Sequence, residues 1–502
     1  MAVHRASEAV VCVEIRTDDM TEPTNMKNKV LSGLFWKVVE NGGAQGVQFL
    51  ITLVLARLLG PEAYGTAGLI TIFILIANVF IQSGFQTALI QKKDVEDVDF
   101  SSVFYLSLAV AAALYLVLFA AAPAIGAFYE EPVLVPMVRV LSFTLFFGAV
   151  ISTQSAVIAR KLEFKKMCIS SLAAACGSGA LGVAAAAGGA GVWALVFQQL
   201  SNNLFLMLAL WILVPWRPAR LFSFTRLREL FSYGWKLLCS SLLDTVYNNV
   251  YGLVIGKIYS KAALGFYNRG NQFPQLIVTN LGTSIQAVML PAFSANQEDR
   301  ARVKAMVRRA IVTSSYLVFP MMAGLIAVAK PFITIVLTDK WLPCVPFLQI
   351  MCVAYAMWPI HIANLQAINA LGRSDIFLKL EIIKKVIGIG ALILGIPFGI
   401  YAMVGLKAFT DLIGTFINSY PNRKLLNYSF LEQWRDVIPS LLTAAVMGVA
   451  VYSIQFLIAN VWLLLLVQIM AGIVIYVGLS WLFKLESFLY LTTTVRGFLR
   501  RR

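Results

Sequence analysis

The sequence predicts an all-α integral membrane protein with about fourteen transmembrane helices, each about 20 residues long. The chain has 502 residues, of which 59% are hydrophobic and 13% are charged, and its mean hydropathy is +0.78. Soluble globular proteins are usually about 45–50% apolar and about 25% charged. No soluble fold of this size hides that much apolar surface in one core. The composition therefore excludes a cytosolic enzyme, a disordered protein and a disulfide-stapled secreted domain.

The predicted helices follow from a succession of apolar runs that begins near residue 31 and is punctuated by Gly and Pro. Each run is long enough to cross a bilayer core of roughly 30 Å. The runs cover residues 31–58, 64–90, 102–128, 134–158, 167–189, 191–214, 230–256, 264–290, 306–329, 343–370, 376–399, 401–420, 436–458 and 461–484.

The two ends of the chain differ from this apolar region. Residues 1–26 are polar, acid-rich and aperiodic, which predicts a disordered tail and excludes a secretory signal sequence. Because MKNKV leads directly into the first apolar run, Met20 and Met26 are both plausible translation starts. Residues 487–502 are rich in arginine and predict a basic cytoplasmic tail.

The charged residues set the orientation of the predicted helices. There are 41 Lys and Arg residues against 25 Asp and Glu residues, so the net charge is +16. With the N-terminus inside, the connections after odd-numbered helices carry few cations, and one of them holds Glu130 and Glu131. The positive-inside rule then places both termini in the cytoplasm, and it explains the net charge without nucleic acid as a partner. The basic residues of the other connections are Lys92, Lys93, Arg160, Lys161, Lys165, Lys166, Arg217, Arg220, Arg226, Arg228, Arg300, Arg302, Lys304, Arg308, Arg309, Arg373, Arg423, Lys424 and Arg435.

The chain also repeats itself at a spacing of about 200–212 residues. Trp36–Lys37 recurs as Trp235–Lys236, and Gly65 recurs as Gly265, in the same order along the chain. A duplicated six-helix unit explains this order and predicts two pseudo-symmetric lobes of the same topology. Transporters built from such parallel repeats bind substrate between the two halves. The predicted ranges are 27–215 for the first lobe, 225–420 for the second lobe and 433–486 for two C-terminal helices.

Polar side chains inside the predicted spans form the candidate substrate-binding site. Each costs free energy in a bilayer unless it faces a cavity or a partner. In the first, second and seventh spans these residues recur every fourth position, which places them along one helix face. Stripes on matching helices favour a hydrated cavity, whereas an interhelical hydrogen bond is the alternative for any single Asn or Gln. The candidate residues are Lys37, Asn41, Gln45, Asn78, Gln82, Lys236, Asp244, Asn248, Arg269 and Gln272.

Three cations in or near the spans, Lys37, Lys236 and Arg269, favour an anionic ligand such as a phosphate or pyrophosphate group. Gly270 and Pro274 lie beside Arg269 and predict a broken helical turn that faces a cavity. For cations near helix ends, extension of the side chain to the membrane interface is the alternative explanation.

Few side chains within the spans can titrate, and four of them are candidates for ion coupling. Lys407 and Asp411 are four residues apart and could neutralise each other, a role that we expect to be structural. His361 could relay protons near neutral pH, but a buried histidine with satisfied hydrogen bonds is the favoured interpretation. The candidates are Glu40, Asp244, His361 and Asp411.

Motifs for catalysis or cofactor binding are scarce. The sequence has no G-x-x-x-x-G-K-[ST] motif, so we do not expect ATP hydrolysis by this chain. Asp97-Val98-Asp99 could hold a metal ion, but a solvated helix face is the favoured interpretation. The six cysteines have neither metal-ligand nor C-x-x-C spacing. We therefore predict a protein that is not an enzyme and has no metal site and no cofactor.

The stretch Phe35–Gly65, which reads FWKVVENGGAQGVQFLITLVLARLLGPEAYG, resembles the opening of bacterial polysaccharide-repeat-unit flippases. The turns ARKLEFKK at 159–166 and NALGRSD at 369–375 are similar to the same group. The resemblance implies the multidrug/oligosaccharidyl-lipid/polysaccharide exporter superfamily, whose members have two six-helix lobes and transport by alternating access. The cation-coupling residues of that superfamily vary too much to be assigned here.

The resemblance also implies a function. An inner-membrane flippase of this kind moves polyprenyl-pyrophosphate-linked oligosaccharide repeat units to the periplasmic leaflet, for polysaccharide or lipopolysaccharide biosynthesis. Its partners would be that lipid-linked substrate, membrane lipids and the polysaccharide polymerase machinery. A multidrug/cation antiporter of the same superfamily is the alternative. From another class, a membrane-embedded polysaccharide polymerase or ligase would need a large periplasmic loop, and a scaffold would leave the polar stripes unexplained.

Replacement of Arg269 or Lys236 with Ala should abolish polymer export and leave protein levels normal, because each change removes a cation from the anion-binding cavity. Surface polysaccharide and immunoblots of membrane fractions measure the two effects. Wild-type export by both variants would contradict a cationic substrate site.

Overall fold

The structure of the protein is a computed structural model that describes residues 23–82, 85–92 and 94–499. The regular elements in these ranges are all helical, and short 3-10 helices cover Asp339–Cys344, Ile396–Phe398 and Ile454–Phe456. The α-helices are α1 (Pro23–Leu58), α2 (Pro61–Gln82), α3 (Phe85–Gln91), α4 (Asp97–Tyr129), α5 (Leu134–Leu141), α6 (Thr144–Lys161), α7 (Phe164–Ala187), α8 (Trp193–Leu213), α9 (Phe224–Ile258), α10 (Lys261–Ser294), α11 (Arg300–Ala327), α12 (Ala329–Leu337), α13 (Val345–Ala356), α14 (Trp358–Ala370), α15 (Ser374–Gly395), α16 (Ile400–Ser419), α17 (Asn422–Leu425), α18 (Phe430–Ser453), α19 (Val461–Leu482) and α20 (Glu486–Leu499).

The chain is a multi-pass membrane protein, because ten segments of its described part are long and apolar enough to cross a membrane. Four further long helices, α1, α9, α10 and α15, coincide with predicted spans but are less apolar, because amide or charged side chains interrupt them. Residues 1–22 of the tail predicted over 1–26 lie outside the described residues. Residues 23–26 belong to α1, which begins at Pro23, so the prediction of a disordered tail is wrong for these four residues. The ten segments are Pro61–Gln91, Asp97–Tyr129, Leu134–Lys161, Phe164–Ala187, Trp193–Leu213, Arg300–Ala327, Asp339–Ala370, Ile400–Leu425, Phe430–Phe456 and Val461–Leu482.

The chain divides into two compact units, one that ends at Gly265 and one that begins at Phe266. The division falls inside α10, whereas the predicted lobes are separated between 215 and 225. Helix α9 belongs to the first unit because it packs against α2, α3 and α4. By sequence, however, α9 begins the second predicted repeat. We refer to the two parts as unit 1 and unit 2.

In unit 1, helices pack closely through small residues. The central helix of this group is α7, which packs against both α1 and α8. A Cβ atom on Gly179 of α7 would lie 2.3 Å from Ile51 of α1, and one on Gly182 would lie 2.7 Å from Gln198 of α8. Glycine at such contacts lets helix backbones approach and gain van der Waals contact within a membrane.

A buried carboxylate, Asp99, holds the start of α4 against the start of α9. Its side chain is fully buried, and its oxygens lie 2.9 Å from Lys92 Nζ and 3.0 Å from Arg226 Nη1. Arg226 also binds Glu96 at 2.9 Å. Because two partly exposed cations face the buried carboxylate, its charge is compensated in spite of burial. We call Lys92, Glu96, Asp99 and Arg226 the α4–α9 clasp.

The connection between α8 and α9 is tied to the same end of α4. The hydroxyl groups of Ser101 and Ser102 accept hydrogen bonds from the backbone N–H groups of Ala219 and Ser223, at 3.0 and 2.9 Å. Both serines are fully buried, so these bonds satisfy polar groups that are out of contact with water. The linker between the predicted lobes is therefore fixed to unit 1.

In unit 2, α11 packs against α13, α14 and α18, and α16 packs against α13, α14 and α15. Arg308 of α11 binds Asp436 of α18 at 3.0 Å and Glu486 of α20 at 2.8 Å. The hydrogen bonds from Arg308 hold the pKa of Glu486, which lies outside the spans, below its usual range. The segment predicted as a basic tail thus continues as helix α20 from Glu486 to Leu499.

The Asp99→Ala substitution should lower the free energy of unfolding by about 3 kcal/mol, because it leaves two cations without their shared buried carboxylate. Thermal unfolding of the purified protein in detergent measures the loss as a lower Tm. The control is Asp94→Asn, at an exposed position that precedes the clasp. Equal Tm values for the two variants would contradict a stabilising role for the clasp.

Candidate functional site

Two of the predicted binding residues, Lys37 and Gln82, line one cavity in unit 1. The cavity has a volume of about 290 Å³ and lies where α2, α3, α6 and the start of α7 meet α1. A cavity with a few convergent polar groups and an apolar remainder is typical of a ligand site. We call it the polar cavity, and its polar and aromatic lining residues are Lys37, Gln82, Gln86, Ser152, Ser155 and Phe164.

Lys37 enters this cavity as half of an ion pair. Its ammonium lies 2.8 Å from Glu40 Oε2 and 5.9 Å from the centre of the Phe164 ring. The Lys37 side chain is 44% exposed, whereas that of Glu40 is 9% exposed. The lysine therefore reaches the cavity, while the carboxylate balances its charge from a buried position.

The stripe on α2 has a different role at each turn. The Asn78 amide donates to the backbone oxygen of Ile74 at 3.1 Å, and a Cβ atom on Gly148 of α6 would lie 2.9 Å from Asn78 Oδ1. Asn78 is thus packed at a helix contact, while Gln82, one turn later, lines the cavity. Asparagine and glutamine commonly make such hydrogen bonds in membrane helices.

The stripe predicted on α9 lies on one uncovered face. Lys236, Ser240, Asp244 and Asn248 follow one another at every fourth residue, and all four are exposed. On α1, Gln45 is also exposed, whereas the side chain of Asn41 lies outside the part that the structure describes. The predicted residues of α9 therefore share an exposed face and do not line the polar cavity.

In unit 2, Arg269 is buried, at 8% exposure. Its guanidinium hydrogen-bonds to Gln272 and lies 5.9 Å from the centre of the Trp341 ring. The broken turn predicted at Gly270 is wrong, because α10 is continuous from Lys261 to Ser294. Gly270 is instead needed for close packing, since a Cβ atom there would lie 2.7 Å from Phe347.

The predicted ion-coupling residues His361 and Asp411 lie together in unit 2. His361 Nε2 is 3.0 Å from the Asp411 backbone oxygen and 3.0 Å from the Thr415 hydroxyl, and Nδ1 is 2.9 Å from Asn418 Nδ2. The Asp411 carboxylate lies 3.2 Å from Lys407 Nζ, as their spacing indicates. Both ring nitrogens of His361 thus have hydrogen-bond partners, which agrees with the favoured interpretation of a satisfied histidine.

Gly65 and Gly265, which the repeat matches, contact each other's helices reciprocally at the starts of α2 and α10. A Cβ atom on Gly65 would lie 1.7 Å from the Lys261 backbone oxygen, and one on Gly265 would lie 2.2 Å from the Pro61 backbone oxygen. Any side-chain carbon would overlap the facing backbone, so this approach requires glycine. The predicted repeat matches these two glycines, and the duplication itself stays a prediction. We call this contact the glycine crossing.

Two ion pairs lie at the same end of unit 1. Glu130 and Glu131, in the turn after α4, bind Lys257 and Lys261 at 3.0 and 2.7 Å. Lys261 belongs both to the glycine crossing, where its carbonyl faces Gly65, and to one of these ion pairs, in which its ammonium binds Glu131. Backbone contact and partly exposed ion pairs thus hold this end together.

Comparison with known proteins now assigns the chain. Residues 54–346 match the model of a family described as polysaccharide biosynthesis protein, and this match covers more than half of the sequence. The chain belongs to the polysaccharide biosynthesis protein family. The resemblance noted at Phe35–Gly65 is therefore confirmed.

Curated relatives of this family match most of the chain. The teichuronic acid biosynthesis protein TuaB of Bacillus subtilis is 22% identical over 441 residues, which cover 86% of this chain and 90% of that protein. The lipopolysaccharide biosynthesis protein WzxC of Escherichia coli is 22% identical over 379 residues, or 74% of this chain and 76% of that one. The succinoglycan biosynthesis transport protein ExoT of Rhizobium meliloti is 23% identical over 376 residues, with coverages of 75% and 76%.

Solved structures share the fold. The lipid II flippase MurJ in an inward closed conformation has a TM-score of 0.72 at 16% identity, and the match covers 90% of this chain and 98% of that one. An inward-facing multidrug resistance transporter of the MATE family has a TM-score of 0.54 at 13% identity, with coverages of 82% and 96%. This family member thus has the helical fold of membrane transporters.

Gln86 continues the stripe of Asn78 and Gln82 at the same spacing, but the lining residues Ser152, Ser155 and Phe164 belong to no predicted stripe. The spacing of the two serines places both on one side of α6, but single serines are common in membrane helices and do not by themselves indicate a site. Phe164 lies at the first position of α7, next to a basic turn, where an aromatic residue indicates a membrane interface.

The Gly65→Ala substitution should lower the free energy of unfolding by about 1–3 kcal/mol. The new methyl group overlaps the Lys261 carbonyl, so α2 and α10 must move apart. The Tm of the purified variant measures this effect. The control is Gly60→Ala, since a Cβ atom on Gly60 has no atom within 4 Å. Equal Tm values for Gly65→Ala and Gly60→Ala would contradict a close backbone contact at the glycine crossing.

Proposed function

We propose that this protein is an inner-membrane flippase that moves a polyprenyl-pyrophosphate-linked oligosaccharide from the cytoplasmic to the periplasmic leaflet by alternating access. Membership of the polysaccharide biosynthesis family and a fold shared with a lipid II flippase support this role. The observation that carries the proposal is the arrangement of unit 1, where a polar cavity and the glycine crossing lie far apart along the same helices.

The separation of these features follows from helix geometry. Lys37 and Leu58, near the two ends of the spanning part of α1, are about 30 Å apart at a rise of about 1.5 Å per residue. Gly65 and Gln82 lie near opposite ends of α2, about 25 Å apart by the same rule. The distance along α1 matches the thickness of a bilayer core, so the cavity and the crossing belong to opposite membrane surfaces.

The charges at each end support the orientation of the chain in the membrane. The turn beside the polar cavity contains Arg160, Lys161, Lys165 and Lys166, whereas the turn beside the crossing contains Glu130 and Glu131. By the positive-inside rule the cavity then faces the cytoplasm, and the crossing faces the periplasm. Both termini lie in the cytoplasm in this orientation.

Opening to the periplasm would separate α2 from α10 at the glycine crossing and break the pairs of Glu130 with Lys257 and of Glu131 with Lys261. Ion pairs in contact with water contribute about 0–1 kcal/mol each, so their rupture is compatible with repeated cycling. The crossing itself has no side-chain interlock, because both contact residues are glycines.

Within this proposal, α1, α9, α10 and α15 also cross the membrane, which gives fourteen spans. They are the less apolar long helices, and three of them carry the predicted substrate stripes. The exposed face of α9, with Lys236, Asp244 and Asn248, would contact the oligosaccharide or its phosphates. His361 and Asp411 are the candidates for ion coupling, and the polysaccharide polymerase machinery would consume the exported product.

Cross-linking should stop transport reversibly. In the double variant with Glu131→Cys and Lys261→Cys, a short bismaleimide with a cleavable spacer should hold the crossing closed and abolish polysaccharide export. Cleavage of the spacer should restore export. Each single variant treated with the same reagent is the control, and full export by the cross-linked protein would contradict alternating access at this end.

The substrate class is tested in a strain that lacks the gene. We expect lipid-linked oligosaccharide to accumulate on the cytoplasmic side, as measured by mass spectrometry of extracted lipids and by its resistance to enzymes supplied from the periplasm. Loss of resistance to cationic dyes with no lipid-linked intermediate would favour the multidrug antiporter instead. Accumulation of a flipped but unpolymerised intermediate would favour a polymerase or ligase.

A further inference from the structure

The charge that Lys37 brings to the polar cavity is paired with a carboxylate, which distinguishes the cavity from a site built for an anionic group. Lys37 is the charged side chain among its described lining residues, and Glu40 lies 2.8 Å from its ammonium. The lysine side chain is partly exposed, and the carboxylate at this distance offsets its charge. The ion pair therefore presents N–H donors to the cavity without an excess positive charge.

The rest of the lining combines hydrogen-bonding groups with apolar surface. Gln82 and Gln86 each offer an amide that both donates and accepts, and Ser152 and Ser155 each offer a hydroxyl group. The Phe164 ring provides a flat apolar wall on one side. A sugar ring requires this combination, because its hydroxyl groups need both donors and acceptors while its C–H faces pack against an aromatic ring.

A pyrophosphate group fits this lining poorly. Its several negative charges need counter-charges, and Lys37 is the charged side chain among the described lining residues. Lys37 could supply that counter-charge only if it lost Glu40, which would leave the carboxylate buried and unpaired. The volume of about 290 Å³ is also at the lower end for ligand sites, so the cavity holds a fragment of a glycolipid rather than the whole molecule.

We infer that the polar cavity is a saccharide subsite, in which the amides of Gln82 and Gln86, the hydroxyls of Ser152 and Ser155 and the ammonium of Lys37 hydrogen-bond to sugar hydroxyls. Glu40 is a positioning residue that fixes Lys37 as a donor and keeps the cavity neutral, so that an anionic headgroup binds elsewhere. This inference rests on the proposed flippase function. It adds that the sugar and the anionic headgroup of the substrate bind at two different places.

The test is protection of a cysteine in the cavity. In the full-length Ser155→Cys variant, labelling of residue 155 by a methanethiosulfonate reagent is followed by peptide mass spectrometry. Two probes are compared: lipid-linked oligosaccharide extracted from the deletion strain, and undecaprenyl pyrophosphate without sugar. We expect the glycosylated lipid to protect residue 155 at about tenfold lower concentration, a difference of about 1.4 kcal/mol. The control is Ser232→Cys at an exposed position on α9, whose labelling should not change.

The Glu40→Gln substitution in the same background should reverse this selectivity, because Lys37 loses its counter-charge and the cavity becomes cationic. The sugar-free pyrophosphate lipid should then protect residue 155. The matched control is Glu163→Gln, which removes the carboxylate that pairs with Lys166 at 2.8 Å but does not line the cavity.

Two results would overturn the inference. Equal protection by both probes in the Ser155→Cys protein would make the cavity a headgroup site, and protection by neither probe would mean that substrate does not enter it. The flippase proposal is judged separately, because accumulation of lipid-linked oligosaccharide in the deletion strain does not depend on where the sugar binds.

Discussion

Compensation of charge within an apolar helical bundle is the constraint on which this structure depends. An ion that is transferred from water to low-dielectric surroundings is so costly that it must be paired, hydrogen-bonded or left in contact with water. Asp99 meets this requirement with two cations, whereas Lys37 and Lys407 are each paired with one carboxylate. The pairs of Lys37 and Lys407 join neighbouring turns of one helix, whereas Asp99 also joins α4 to α9 through Arg226. The stripe along α9 differs from these pairs, because its residues lie on an exposed face of their helix.

The two ends of unit 1 use different contacts for different purposes. At the glycine crossing, backbone meets backbone, and the ion pairs beside it are partly exposed and therefore weak. At the α4–α9 clasp, a fully buried carboxylate makes the contact much harder to break. Separating the helices at the glycine crossing therefore costs little free energy, whereas breaking the α4–α9 clasp costs much more. Strong and weak contacts thus lie at different ends of unit 1.

Much of the fold could be predicted from the sequence, because apolar length, loop charge and repeat order are encoded locally. The roles of individual polar residues could not be predicted in this way. Asn78 and Gln82 belong to one stripe, yet only Gln82 lines the cavity, because Gly148 of another helix faces Asn78. Arg269 is buried against Trp341, which lies 72 residues later in the chain, so no local pattern reports this contact. Tertiary packing decides which polar residues of a stripe reach a ligand and which join helices.

The position of α9 has a consequence for how such a chain arose. By sequence α9 opens the second copy of the predicted repeat, but by packing it belongs to unit 1, and the clasp anchors it there. The predicted repeat is therefore not the segment that forms a compact body. Under the duplication that the repeat predicts, an ancestral six-helix polypeptide would have required a helix from its twin, as partners do in a domain-swapped dimer. Fusion of the two genes would have made that exchange permanent and freed each copy to diverge.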